Sequence, residues 1–151
     1  MLGFAHQTGG ESGDSYSRIL MSVVGANEFV FGVAACRDAY IAMSQVPGIY
    51  THFTYELVIG AQDNTETMLY SAVGGNLLKS AMTPQILSCD TVRLFWLSWR
   101  NGQISFGKGI VPEVGALFTV NDAQWHAVNS LSFMTPPGVT GYFAVPTMIG
   151  E

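Results

Sequence analysis

A chain of 151 residues in which 48% are apolar can bury one sizeable core, so a single domain is expected. Charged residues make up only 11%, less than half of the share of about 25% that is usual. The net charge of −5 excludes nucleic acid as a partner, because phosphate neutralisation needs clustered cations and the six Lys and Arg residues are scattered.

So few charges imply that part of the surface is hidden, and a homo-oligomer is the simplest way to hide it. No apolar run approaches the roughly eighteen residues of a membrane span, so no membrane insertion is expected. The start, MLGFAHQTGGESGD, lacks a charged region followed by an apolar one, and no signal peptide is read in it.

In chain order, residues 1–15 read as a flexible N-terminal arm and 16–151 as one domain. Tyr16–Val24 is a predicted strand, and Gly25-Ala26-Asn27 a turn. Phe29, Phe31, Val33 and Ala35 alternate over small residues, which is a strand signal. Tyr40–Met43 is extended, Ser44–Thr51 a loop turning at Pro47-Gly48, and Phe53, Tyr55, Leu57 and Ile59 form one face of the next strand. Gly60–Asn64 is a polar loop from which Glu66–Ala72 returns. Leu77–Met82 is too short for a helix and too mixed for a clear strand.

Ile86–Cys89 leads into the segment with the strongest signal, VRLFWLSWRNGQISFGKG, from Val92 to Gly109. Asn101-Gly102 predicts a type I′ hairpin, since both central residues of that turn need positive φ. The turn sets the register: Arg100 opposite Gln103, Trp99 opposite Ile104, Leu97 opposite Phe106, Trp96 opposite Gly107. Phe95, Leu97, Trp99, Ile104 and Phe106 then share a core face. On the other face Trp96 either covers the bare backbone of Gly107 or offers a flat platform to a ligand or, with Arg100, to a partner subunit. Ala116–Val120, Ala127–Met134 and Tyr142–Val145 complete the strands.

No window carries the i, i+3, i+4, i+7 spacing of an amphipathic helix. Short strands broken by Gly, Pro, Asn and Asp every eight to twelve residues predict an all-β antiparallel β-sandwich, or jelly roll. Cys36 and Cys89 are either two small buried hydrophobes or one disulfide; a loop of about fifty residues so closed is worth ~4 kcal/mol in the loop-entropy model.

The blocks VAACRDAYIAMS, YELVIGAQDNTETMLY, ILSCDTVRLFWLSWRNGQISFGKG and AVNSLSFMTPPGVTGYF resemble, in that order, the farnesoic acid O-methyltransferase-type domain. The resemblance covers about Phe29 to Val145, and F-W-x-S-W with its hairpin is the most specific part. It implies a β-sandwich module of the extracellular kind, hence secretion, and it favours a bond between Cys36 and Cys89. There is a departure where the family has a glycine- and tryptophan-rich S-T-G-W-G: this chain reads Phe133-Met134-Thr135-Pro136-Pro137-Gly138. The methyl transfer in the family's name is not expected, because a sulfonium cofactor site of the usual kind needs a Gly-rich strand-to-helix turn. Gly9-Gly10 and Gly74-Gly75 are isolated pairs, and no cofactor is expected.

His6, His52 and His126 are too scattered for a metal cluster. Neither H-E-x-x-H nor G-x-S-x-G occurs. Asp38 sits at a strand break, where Asp caps a turn, and Gln62–Glu66, with Asp63 and Asn64, is a polar hairpin tip. Both are solvated structural turns or lesser ligand candidates. In the loop Asn121–His126 a sugar could find Asp122, Gln124 and His126 for its hydroxyls and the Trp125 ring for its C–H face. Otherwise Trp125 plugs the end of the sandwich. The expected function is a non-enzymatic, lectin-like glycan-binding homo-oligomer, with galactose-type sugars as ligand. The second reading is a structural or protein-interaction module making contact through Trp96, and an enzyme is the third.

Overall fold

The computed structural model describes residues 6–8, 16 and 19–145. They form two six-stranded antiparallel sheets. The strands are β1 (His6–Thr8), β2 (Leu20–Ser22), β3 (Glu28–Ala35), β4 (Ala39–Ser44), β5 (Thr54–Gly60), β6 (Glu66–Tyr70), β7 (Leu77–Met82), β8 (Arg93–Arg100), β9 (Gln103–Lys108), β10 (Ala116–Asn121), β11 (Ser130–Met134) and β12 (Gly141–Ala144). One sheet runs β1-β12-β3-β8-β9-β10 and the other β2-β11-β4-β5-β6-β7. This is the antiparallel β-sandwich that the alternation predicts, with each sheet drawing strands from both halves of the chain.

The central hairpin has the expected register, from Arg100 opposite Gln103 to Trp96 opposite Gly107. Asn101 and Gly102 take φ of 52° and 86°, as a type I′ turn requires. Its inner face joins one continuous core with Ile41, Met43, Leu57, Ile59, Leu69 and Leu131 of the second sheet. Phe133 ties the sheets together, its ring centroid 5.8 Å from Phe31 and 5.2 Å from Phe143. Each such fully buried large side chain stabilises the fold by about 1.5–3 kcal/mol. Cys36 and Cys89 are joined by a disulfide beside the Ala35 N–H···O=C Ser88 bond, which leashes the end of β3 to the segment before β8.

Several local expectations change. Leu77–Met82 is a strand, paired with β6; its mixed composition belongs to a sheet edge, where Leu78 and Ala81 pack inward and Lys79 and Ser80 face water. His6–Thr8, expected within a flexible arm, pairs with Gly141–Phe143 at the opposite edge; the rest of 1–15 lies outside the described residues except for that strand. Among its described residues Tyr16–Val24 contributes Leu20–Ser22 to the sheets, and Ala127–Met134 contributes Ser130–Met134. Phe53 does not continue the core face of β5. It stands before the strand at φ 52° and is 56% exposed.

The platform reading of Trp96 is corrected outright. The ring is fully buried, its Nε1–H donates to the Val114 carbonyl at 2.8 Å, and a Cβ at Gly107 would overlap it. A buried indole whose one donor is satisfied inside the subunit cannot also meet a second subunit. Arg100 is engaged as well, donating to Glu28 Oε1 at 2.6 Å and lying 3.7 Å from Glu113 Oε2.

Candidate functional site at the end of the sandwich

The loop after β10 is built by Asp122. Its Oδ1 accepts the Gln124 backbone N–H at 2.9 Å, an Asx turn, and its Oδ2 accepts the Tyr55 hydroxyl at 2.6 Å. Asp122 N–H also donates to the Gly102 carbonyl at 2.8 Å, which binds the loop to the hairpin tip. Tyr55 comes from β5, so the carboxylate joins the loop to both sheets. Burial and the Asp122 carboxylate push the Tyr55 hydroxyl far above its ordinary pKa, and it stays a donor.

Tyr55 then positions His126. The two rings stack at 4.3 Å with 22° between their planes. His126 Nδ1 lies 2.8 Å from the Ala127 carbonyl, which only accepts, so Nδ1 carries the proton and Nε2 of the neutral ring is an acceptor. That Nε2 is buried with no partner. Burial holds His126 below its ordinary pKa, against the pull of the Ala127 bond and the Asp122 charge.

Two aromatic rings flank this histidine. Trp125 is 47% exposed and lies against Gly102, while Phe53 meets His126 edge-on at 6.1 Å. A cleft of about 200 Å³ lies on the Trp125 side, floored by Trp99 and Ile104 and rimmed by Asn27, Asn101 and Asn129. A second, of about 290 Å³, lies on the Phe53 side with Asp122, Gln124 and His126 in its wall. The arrangement offers exposed rings and amide groups at one end of the molecule, the features that recognition of a polyhydroxylated ligand with C–H faces uses.

Of the candidate residues, the structure gathers Asp122, Gln124, Trp125 and His126 and leaves the others apart. Asp122 holds the loop together. Asn64 is structural: its side chain donates to the Leu87 carbonyl at 2.9 Å and accepts the Leu87 N–H at 3.1 Å. Gln62, Asp63 and Asn64 form a left-handed turn, with φ of 52°, 59° and 64°, and Asp63 is exposed on it. Asp38, at φ 54° and ion-paired to Arg37, lines a different cleft on the outer face of the second sheet. Sequence reasoning missed Tyr55, Asn27 and Asn101 at the sandwich end. Tyr55 was assigned to the core by alternation, which says nothing of where its hydroxyl points. Among the described residues, no three His, Cys, Asp or Glu side chains are placed to share a metal ion.

The family described as farnesoic acid O-methyl transferase is matched by residues 13–147. A protein of Haliotis asinina, described as "Uncharacterized protein 5", is 25% identical over 112 residues, which are 74% of this chain and 64% of that protein. The match therefore spans less than two thirds of that relative. Among solved structures, a Bacillus subtilis protein of unknown function with a galectin-like fold aligns over 94% of this chain and 90% of its own, at 11% identity and a TM-score of 0.55. The carbohydrate-binding module CBM66 from Bacillus subtilis aligns over 83% of this chain and 72% of its own, at 10% identity and a TM-score of 0.50. At these identities the likeness is one of fold.

Proposed function

This chain belongs to the farnesoic acid O-methyl transferase family, and from that premise we propose that it is a lectin-like carbohydrate-binding protein, not an enzyme. The observation that carries this reading is the pair of exposed rings, Trp125 and Phe53, fixed on either side of His126 at one end of the sandwich. A core plug would be buried; Trp125 is half open to solvent and pinned from beneath by the hairpin tip. Asn27, Asn101 and Gln124, all exposed, supply donors and acceptors to vicinal hydroxyls. The fold shared with a carbohydrate-binding module is compatible with this reading.

Methyl transfer would need a place for the methyl donor. The described strands pair only antiparallel, and the helical turn Ala61–Asn64 between two of them has left-handed residues inside it. A glycine-rich strand-to-helix cradle of the usual kind has no counterpart in such a frame.

A single shallow sugar site binds in the millimolar range, at about −4 kcal/mol, so a homo-oligomer is part of the proposal because linked sites raise avidity. With Trp96 buried, the contact moves to Val92, Leu94, Ile110, Val111 and Val114, exposed apolar residues grouped around the exit of the hairpin. Gly109 N–H donates to the Leu94 carbonyl at 2.9 Å, which brings the two segments together. The disulfide suits an oxidising, extracellular compartment. Galactose-type glycans are the proposed ligand class. A glycan array, followed by haemagglutination with sugar inhibition, tests the function. Binding that Trp125→Ala abolishes supports it, and a folded protein that binds no glycan refutes it. Calorimetry with the methyl donor tests the competing activity.

A further inference from the structure

The outer face of the second sheet carries a cleft of about 400 Å³ lined by Asp38, Tyr40, Glu56, Gln62, Met68 and Tyr70, among others. The register explains the grouping. Glu56 on β5 pairs directly with Tyr70 on β6, while Tyr40 and Met68 both pair with Val58, two residues along the same face. Cross-strand neighbours of this kind have side chains within reach of one another. Asp38 closes one end, held by its N–H to the Gly60 carbonyl at 3.1 Å.

Glu56 is the unusual member. It is half-buried, its Oε2 accepts the Tyr16 hydroxyl at 2.7 Å, and no described cationic side chain pairs with it. Arg37 is committed to Asp38. Burial raises the Glu56 carboxyl above its ordinary pKa, the mark of a charge with too little solvation. Burial first, and then the charges of Asp38 and Glu56, raise the Tyr40 hydroxyl above its ordinary pKa. An anionic ligand would be repelled here. A cation would offset the charge of a half-buried carboxylate that has no ion pair among the described residues, and would gain from tyrosine rings at the same time.

We propose that this cleft binds an organic ammonium group, a protonated primary amine or a quaternary amine, through Glu56 between Tyr40 and Tyr70. Amino sugars and choline-type headgroups share that chemistry. The site uses none of the side chains that form the sandwich-end site, so the two stand or fall separately.

The full chain is titrated with glucosamine hydrochloride, choline chloride and N-acetylglucosamine at constant ionic strength, with the Met68 methyl resonance as reporter. A saturable shift with either amine, absent with the uncharged N-acetyl sugar, is the expected result. The amine that binds identifies the source. Glu56→Gln keeps an acceptor for Tyr16 but removes the charge, and should weaken binding roughly tenfold or more. Tyr70→Leu should weaken it without changing the charge, which covers the case of a Glu56 variant that folds poorly. Trp125→Ala should leave it intact. No saturable response to either amine, an equal response to N-acetylglucosamine, or unchanged affinity when Glu56 is replaced overturns the proposal.

Discussion

The Trp125 indole rests on Gly102, its Cδ1 2.7 Å from the point where a Cβ on that glycine would sit. The glycine therefore has two duties. It supplies the φ of 86° that the hairpin turn needs, and it leaves room for the ring that rims the candidate sugar site. The same point is crowded by the Asp122 carbonyl, so the turn and the loop fit together only without a side chain there.

Gly102→Ala should therefore cost more than a turn substitution alone. The positive φ by itself costs an alanine about 1–3 kcal/mol, and displacement of Trp125 adds to it. Urea denaturation should report the loss of stability and tryptophan fluorescence the movement of the ring. Glycan binding should fall with it, whereas Trp125→Ala should abolish binding and leave the denaturation midpoint nearly unchanged.

The two other exposed or once-suspected surfaces predict opposite outcomes. Trp96→Ala opens a cavity over Gly107 and strands the Val114 carbonyl, and should destabilise the fold by about 3–5 kcal/mol. Val114→Asp, at an exposed position, should leave the midpoint within about 0.5 kcal/mol and convert an oligomer to monomer. Light scattering coupled to size exclusion reads the second effect; an assembly untouched by the Val114 change would put the interface elsewhere.

His126 makes stability fall with acid. Its folded pKa lies below the unfolded value, so between the two the unfolded chain binds more protons. Stability is full above the ordinary histidine value of about 6.5 and is lost as pH falls from there through the folded pKa. NMR should find the proton on Nδ1 in the neutral form and a titration midpoint below that of a histidine in a random peptide. His126→Gln should flatten this part of the stability profile.

Reduction of the Cys36–Cys89 bond frees a loop with a sequence separation of 53 residues. The loop-entropy model sets the loss at about 4 kcal/mol. Denaturation of the wild type with and without reductant measures it directly. A double serine variant should match the reduced protein, not the oxidised one.

Much of the fold was legible because its signals are local. Asn101-Gly102 can form only a tight hairpin, and once it does, the alternation of Phe95, Leu97, Trp99, Ile104 and Phe106 fixes which face enters the core. The same logic misjudged Leu77–Met82, because an edge strand needs only one apolar face partly covered and does not alternate cleanly. It also placed Phe53 on the core face of β5, although the chain turns to positive φ one residue before that strand.

The sites were legible only in part. That Trp125 and His126 belong to one candidate loop is a matter of adjacency, and the sequence by itself settles it. That Tyr55 stacks on His126 from 71 positions away in the numbering is not, nor is the meeting of Glu56 with Tyr16 across 40. Turn chemistry and alternation act between neighbours and set strands, hairpins and faces. Which loops share an end of the sandwich, and which outward side chains share a cleft, depends on strand order across two sheets, and only the packed tertiary structure decided that.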